Sequence, residues 1–113
     1  ELRFFGGDVY EKTFANDIST QIAIKDFEID VGTYDIYANI SDGVHTNRRI
    51  LEVSHDGTDT TALYIAKYGD DFEFITIEYN EDDSDTAGYP VFDVVGTGAG
   101  GTVTVKLQGK QII

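Results

Sequence analysis

The chain has 113 residues, 41% of them hydrophobic, with 21 acids against eight bases for a formal charge of −13. That length suits one domain with a real core, and the charge disfavours DNA and RNA, whose phosphates it would repel. No apolar run approaches the roughly 20 residues that cross a bilayer, and the absence of cysteine excludes disulfides, thiolate metal sites and cysteine nucleophiles in one step.

Glu1 to Gly7 lacks the basic-then-apolar order of a secretory signal. A start at Glu1 with no Met anywhere is expected of a processed product or a piece of a longer polypeptide. The expectation is a soluble chain with no membrane partner. Fourteen of the acids are Asp, gathered at the joints between apolar segments, where they suit turns, hydrated surfaces or divalent cations better than helices.

In chain order, Leu2 to Phe5, Val9 to Phe14 and Ile18 to Ile24 read as short strands, broken by Gly6-Gly7 and Asn16-Asp17. Residues 1–17 would form a less regular N-terminal arm. Tyr34, Ile36, Ala38 and Ile40 then alternate with Asp35, Tyr37, Asn39 and Ser41, the period-two signature of a strand, and Ser41-Asp42-Gly43 turns the chain. Arg49, Leu51 and Val53 share one face of the next strand, which stops at His55-Asp56-Gly57. Thr60 to Tyr68 follows, with either Thr61, Leu63 and Ile65 or Ala62, Tyr64 and Ala66 facing inward, before Gly69-Asp70-Asp71. Phe72 to Tyr79, Tyr89 to Val95 and Thr102 to Leu107 are β-branched and aromatic and favour strand, and Pro90 sits near a strand start, where a missing amide donor is tolerated. No window holds a helical stripe without Gly or clustered Asp intervening. The pattern predicts an all-β fold with little or no helix, residues 1–113 forming one antiparallel β-sandwich or jelly roll.

Three motifs suggest chemistry and lose it on inspection. In Ser54-His55-Asp56, neighbours on a strand project to opposite faces, so nucleophile and base cannot meet. The run Gly96 to Gly101 satisfies G-x-G-x-x-G but precedes a strand instead of the helix that a dinucleotide pyrophosphate needs. Glu81-Asp82-Asp83-Ser84-Asp85 is the densest carboxylate run, and as an EF-hand it lacks the bidentate glutamate. It is expected to be a solvated acidic loop. A looser Ca²⁺ site would use Asp83 and Asp85, helped by Asp56, Asp59, Asp70 or Asp71; no other cofactor is expected.

His45 and His55 are expected to be exposed turn residues. Tyr37 and Tyr79 are the candidate platforms for a sugar ring, as strand residues facing outward. The apolar ends, Leu2, Phe4 and Phe5 with Ile112 and Ile113, are candidates for subunit contact.

The order of segments over about the last 80 residues resembles the β-sandwich domains of structural proteins of tailed bacteriophages, particularly phages of marine and aquatic bacteria. The carrying features are the Tyr-containing strand Gly32 to Tyr37, the polar turn Ser41 to Asn47 and the aliphatic strand ending in His55-Asp56-Gly57-Thr58. The Thr-rich strand Thr60 to Tyr68, the Phe-containing strand Phe72 to Tyr79 and the segment Gly96 to Lys106 complete the order. The resemblance implies a non-enzymatic component of the virion, such as a tail fibre, neck or capsid-decoration domain. Such domains associate with other virion proteins and are commonly homo-oligomeric, often trimers. It brings no catalytic residues with it. The alternative is a carbohydrate-binding or adhesin domain stabilised by Ca²⁺, and a small hydrolase stands third because acids are plentiful.

Overall fold

A computed structural model describes residues 9–16, 21–69, 75–98 and 100–113. Among the described residues, eight strands and one short helix follow one another as β1 (Val9–Ala15), β2 (Gln21–Ile24), β3 (Gly32–Ser41), β4 (Thr46–His55), β5 (Thr60–Gly69), β6 (Thr76–Tyr79), α1 (Glu81–Ala87), β7 (Phe92–Val95) and β8 (Thr102–Gln111). They build a five-stranded sheet, β1-β8-β3-β4-β5, and a three-stranded sheet, β2-β7-β6. Every pairing is antiparallel. The protein is an all-β sandwich, as the alternation predicts. The first described strand pairs with the last, and the second with the one before last. This nesting belongs to Greek-key and jelly-roll chains, whereas β3, β4 and β5 form a plain meander.

Alternation locates the core with few exceptions. Tyr34, Ile36, Ala38 and Ile40 of β3, Leu51 and Val53 of β4, and Val103, Val105 and Leu107 of β8 are all buried. They meet Ile24, Ile77, Phe92 and Val94 of the smaller sheet, with Phe27 and Ile29 filling one end. Each such side chain contributes roughly 1.5–3 kcal/mol on leaving water. That local burial makes the register of β3, β4 and β8 unambiguous, since a slip of one residue would turn the row into solvent.

The ends of several elements differ from the sequence pattern. Leu2 to Phe5, Ile18 to Thr20 and Phe72 to Phe74 lie outside the described residues. The strand expected from Tyr89 begins at Phe92, because Tyr89 to Val91 bring the chain back from α1, and the last strand runs on from Leu107 to Gln111.

The larger correction concerns the acidic segment, which is helical. Asn80 is its N-cap, its side chain accepting a hydrogen bond from the Asp83 amide at 2.9 Å. Glu81, Asp82 and Asp83 occupy the first turn, where the helix N-terminus favours negative charge. Gly88 closes the far end in the left-handed conformation (φ 78°), its amide bonded to the Ser84 carbonyl. Ser84, the buried helical residue, accepts from the Val91 amide and donates to the Asn80 carbonyl, fastening the helix to the start of β7.

Gly88 also lies against the β4–β5 turn, where an added Cβ would collide with the Gly57 carbonyl. Gly88→Ala therefore combines a left-handed backbone with a backbone clash. It is expected to destabilise the fold by about 1–3 kcal/mol, lowering Tm by roughly 5–15 °C. Calorimetry of the variant checks this, and an unchanged Tm would show that the helix–turn contact is not tight.

Candidate interaction surfaces

The Ser54-His55-Asp56 run is divided as strand geometry demands. Ser54 faces outward and shares a hydrogen bond with Thr33 across the strands at 2.6 Å. His55 points inward and Asp56 opens the turn, accepting from the Thr58 and Asp59 amides. These two bonds hold the Asp56 carboxyl below its ordinary pKa. His55 departs from the expected exposed turn residue: it is buried, stacked on Tyr34 at 6.0 Å, with Nδ1 3.1 Å from the Gly88 carbonyl oxygen. His45 stays near the surface beside Asp42 at 3.2 Å. Asp42 accepts from the His45 and Val44 amides, which bring its carboxyl down to about 2.

The glycine run lies between β7 and β8, and Asn16 Oδ1 accepts from the Thr97 amide at 2.6 Å. A strand follows it, as the spacing predicts. Asp83 and Asp85 lie on α1. Asp83 accepts from the Asn80 side chain at 3.3 Å, and Asp85 accepts from the Thr60 amide at 3.2 Å, so each carboxylate meets a donor of the fold. Asp56 and Asp59 belong to the β4–β5 turn, and Asp70 and Asp71 lie outside the described residues. Among the described residues no three of His, Asp and Glu are grouped to hold a metal ion.

The two tyrosines part company. Tyr37 is 41% exposed on the outer face of the five-stranded sheet. Tyr79 turns inward and packs its ring edge-on against Phe92 at 5.8 Å. Its position follows from the parity of β6, which shares one face between Ile77 and Tyr79. Around Tyr37 the outer face is a shallow groove of about 410 Å³, lined by Asn39, Arg48, Lys106 and Gln108 among others. One cross-strand row runs Glu11, Lys106, Asn39, Arg48, Tyr68 over all five strands. Lys106 pairs with Glu11 at 3.5 Å and Arg48 stands over the Tyr68 ring at 5.6 Å.

Of the apolar ends, Ile112 and Ile113 are exposed, although their backbones are tied to Thr33. Leu2, Phe4 and Phe5 lie outside the described residues. Sequence reasoning left the inward face of β5 open, and the structure gives it to neither apolar set as a whole. Leu63 is 67% exposed and Ile65 57%, and Tyr64 is half-buried. β5 is an outermost strand of its sheet, and its flank towards the smaller sheet is bridged by polar side chains.

That bridge was not singled out from the sequence. Arg49, fully buried, donates through Nε and Nη2 to Glu78 Oε1 at 3.3 and 3.2 Å, and through Nη1 to the carbonyls of Arg48 and Tyr68. Tyr64 donates to Glu78 Oε2 at 2.5 Å and accepts from the Tyr79 amide at 2.8 Å. Asn47 donates to the Ile75 carbonyl. The available signal was Arg49 itself, a cation on the same strand face as Leu51 and Val53.

No family model and no curated protein matches the chain. Among solved structures it is similar to the tailspike protein of the Acinetobacter phage vB_ApiP_P1, with a TM-score of 0.53 and 14% identity over 89% of this chain and 21% of that one. The likeness is one of fold. It relates this sandwich to a β module of a phage tail protein, of which the chain spans about a fifth.

Burial first, and the hydrogen bond to Glu78 second, push the Tyr64 hydroxyl up to about 12. A pKa above the unfolded value means the folded state holds its proton longer, so this contribution is complete below the unfolded pKa of 10.0 and is lost as pH rises towards 12. Tyr64→Phe should therefore cost about 1 kcal/mol at neutral pH through the lost hydrogen bonds, and distinctly less at about pH 11. Urea unfolding at the two pH values checks this; an equal cost at both would mean the phenol is not held neutral by the seam.

Proposed function

We propose that the protein is a non-enzymatic structural module of a tailed-phage virion, tail-associated, acting through contacts with neighbouring subunits. The observation that carries this reading is the fold likeness to one segment of a tailspike, which covers nearly all of this chain. It agrees in kind with the resemblance in segment order, which points independently to tail fibre, neck or capsid-decoration domains. The disposition of the polar residues supports it: Ser54, His55 and Asp56 serve separate structural contacts, and the acidic run caps and fastens a helix. An antibody raised against the chain is expected to label particles of the virus that encodes it, at the tail, in immunogold electron microscopy. Particles that never carry the label, with the chain confined to host fractions, would overturn the reading.

A second reading is favoured by the groove around Tyr37. An exposed ring amid Asn39, Gln108, Arg48 and Lys106 offers a stacking face beside planar and cationic donors, the combination that holds a sugar. In this reading the outer face of the five-stranded sheet binds a glycan. Tyr37→Ala is expected to lower glycan-array binding at least tenfold without changing Tm, as an exposed ring contributes little to the core. Absence of binding to any glycan by the unmodified protein would dispose of it.

A further inference from the structure

The outer face of the five-stranded sheet departs from the charge balance of the chain, in which 21 acids face eight bases. Among the described residues, the outward positions of its strands carry three bases, Arg48, Lys106 and Lys110, against three acids, Glu11, Asp35 and Glu52. The register also sorts them on either side of Tyr37. One cross-strand row away, Asp35 stands between Glu52 and Lys110; one row the other way, Asn39 stands between Arg48 and Lys106. The groove of about 410 Å³ opens over the second of these rows, where among the described residues its cations are Arg48 and Lys106 and its acid is Glu11.

Both cations are available to a ligand. The Arg48 guanidinium pairs with no carboxylate of the described residues and stands over the Tyr68 ring at 5.6 Å. Lys106 meets Glu11 at 3.5 Å, but the two side chains are 54% and 58% exposed, and an exposed pair of this kind holds its members weakly. Their strands, β4 and β8, flank β3 and lie roughly 10 Å apart, so two long side chains can converge above Asn39. Tyr37, the next outward residue of β3, is roughly 7 Å away along the strand.

Resting on the second reading above, that of a glycan-binding face, we propose that the groove takes an acidic sugar. Its pyranose ring lies against Tyr37 and its carboxylate sits between Arg48 and Lys106. A guanidinium fork matches a carboxylate bidentately, and an ammonium adds a point charge. Charge complementarity selects this ligand: a chain of net charge −13 repels anions in general, so a local pair of unneutralised cations discriminates in favour of one that fits between them. The topology sets aside an extended peptide. The groove lies over β8, β3 and β4, each bonded to a strand on both sides, so their backbones are engaged within the sheet and offer no edge for strand addition. Side chains alone do the recognising, and the amides of Asn39 and Gln108 supply donors and acceptors for hydroxyl groups.

The test is a glycan array probed with the full chain. It carries uronic-acid and sialic-acid oligosaccharides, the same compounds with each carboxyl reduced to the alcohol, and neutral hexose oligosaccharides. Carboxylated sugars are expected to bind, and their reduced counterparts to bind about tenfold more weakly. Raising salt from about 20 to about 500 mM should weaken the former and leave the latter nearly unchanged. Arg48→Gln should lose about tenfold towards the carboxylated sugars, and Lys106→Gln less, because its charge is shared with Glu11. Lys110→Gln, on the same face outside the groove, is the control and should bind as the parent does, with Tm unchanged in all three variants. Equal binding of carboxylated and reduced sugars, an equal loss in Lys110→Gln, or an oligoglutamate peptide bound as tightly as the acidic sugars would overturn the proposal. Its failure is distinct from that of the glycan reading: neutral sugars bound through Tyr37 remove the carboxylate and keep the reading, whereas no glycan bound by the unmodified protein removes both.

Discussion

A buried guanidinium governs how the two sheets of this sandwich meet. Arg49 is fully withdrawn from solvent, and a cation in that position must find acceptors or cost several kcal/mol. It finds Glu78 on β6 and two carbonyls on β4 and β5. Because those acceptors sit on three strands of two sheets, satisfying the charge also fixes the strands against one another. Glu78 is only partly buried, with 42% of its side chain exposed, so the pair's value lies more in positioning than in raw Coulomb energy.

The seam answers a second demand, that of the β6 edge. β6 is a four-residue strand bonded to β7 on one side, with its other edge turned to the larger sheet. Tyr64 accepts from the Tyr79 amide and Asn47 donates to the Ile75 carbonyl, so side chains stand in for a missing strand. Burial without such partners would leave open hydrogen-bonding groups at a cost of about 1–3 kcal/mol each. One edge of the smaller sheet is thereby closed from within, by side chains that β4 and β5 supply.

The acids are distributed to match. They stand at turns, where Asp42 and Asp56 accept from nearby amides, and at the helix N-terminus, where Asp83 joins the cap. These are local, hydrated roles that tolerate a high charge. The four ten-residue strands hold few of them: Asp35 on β3, Glu52 on β4, and none on β5 or β8.

Much of this was legible without coordinates. Period-two alternation is a local property, so Tyr34 to Ile40 and Thr102 to Leu107 could be read as strands directly. The same parity separated Ser54 from His55. The short helix was missed although Asn80, three first-turn acids and Gly88 are ordinary helix boundaries, because seven residues with one buried side chain make no amphipathic stripe. The sequence by itself determined the strand periodicity, the sandwich class and the absence of a contiguous triad, all of which depend on neighbours a few residues apart. Only the tertiary structure decided that His55 is buried against Tyr34, that Tyr37 faces outward while Tyr79 packs on Phe92, and that Arg49 meets Glu78. Those outcomes depend on which strands become neighbours across the core, and sequence separation carries no record of that.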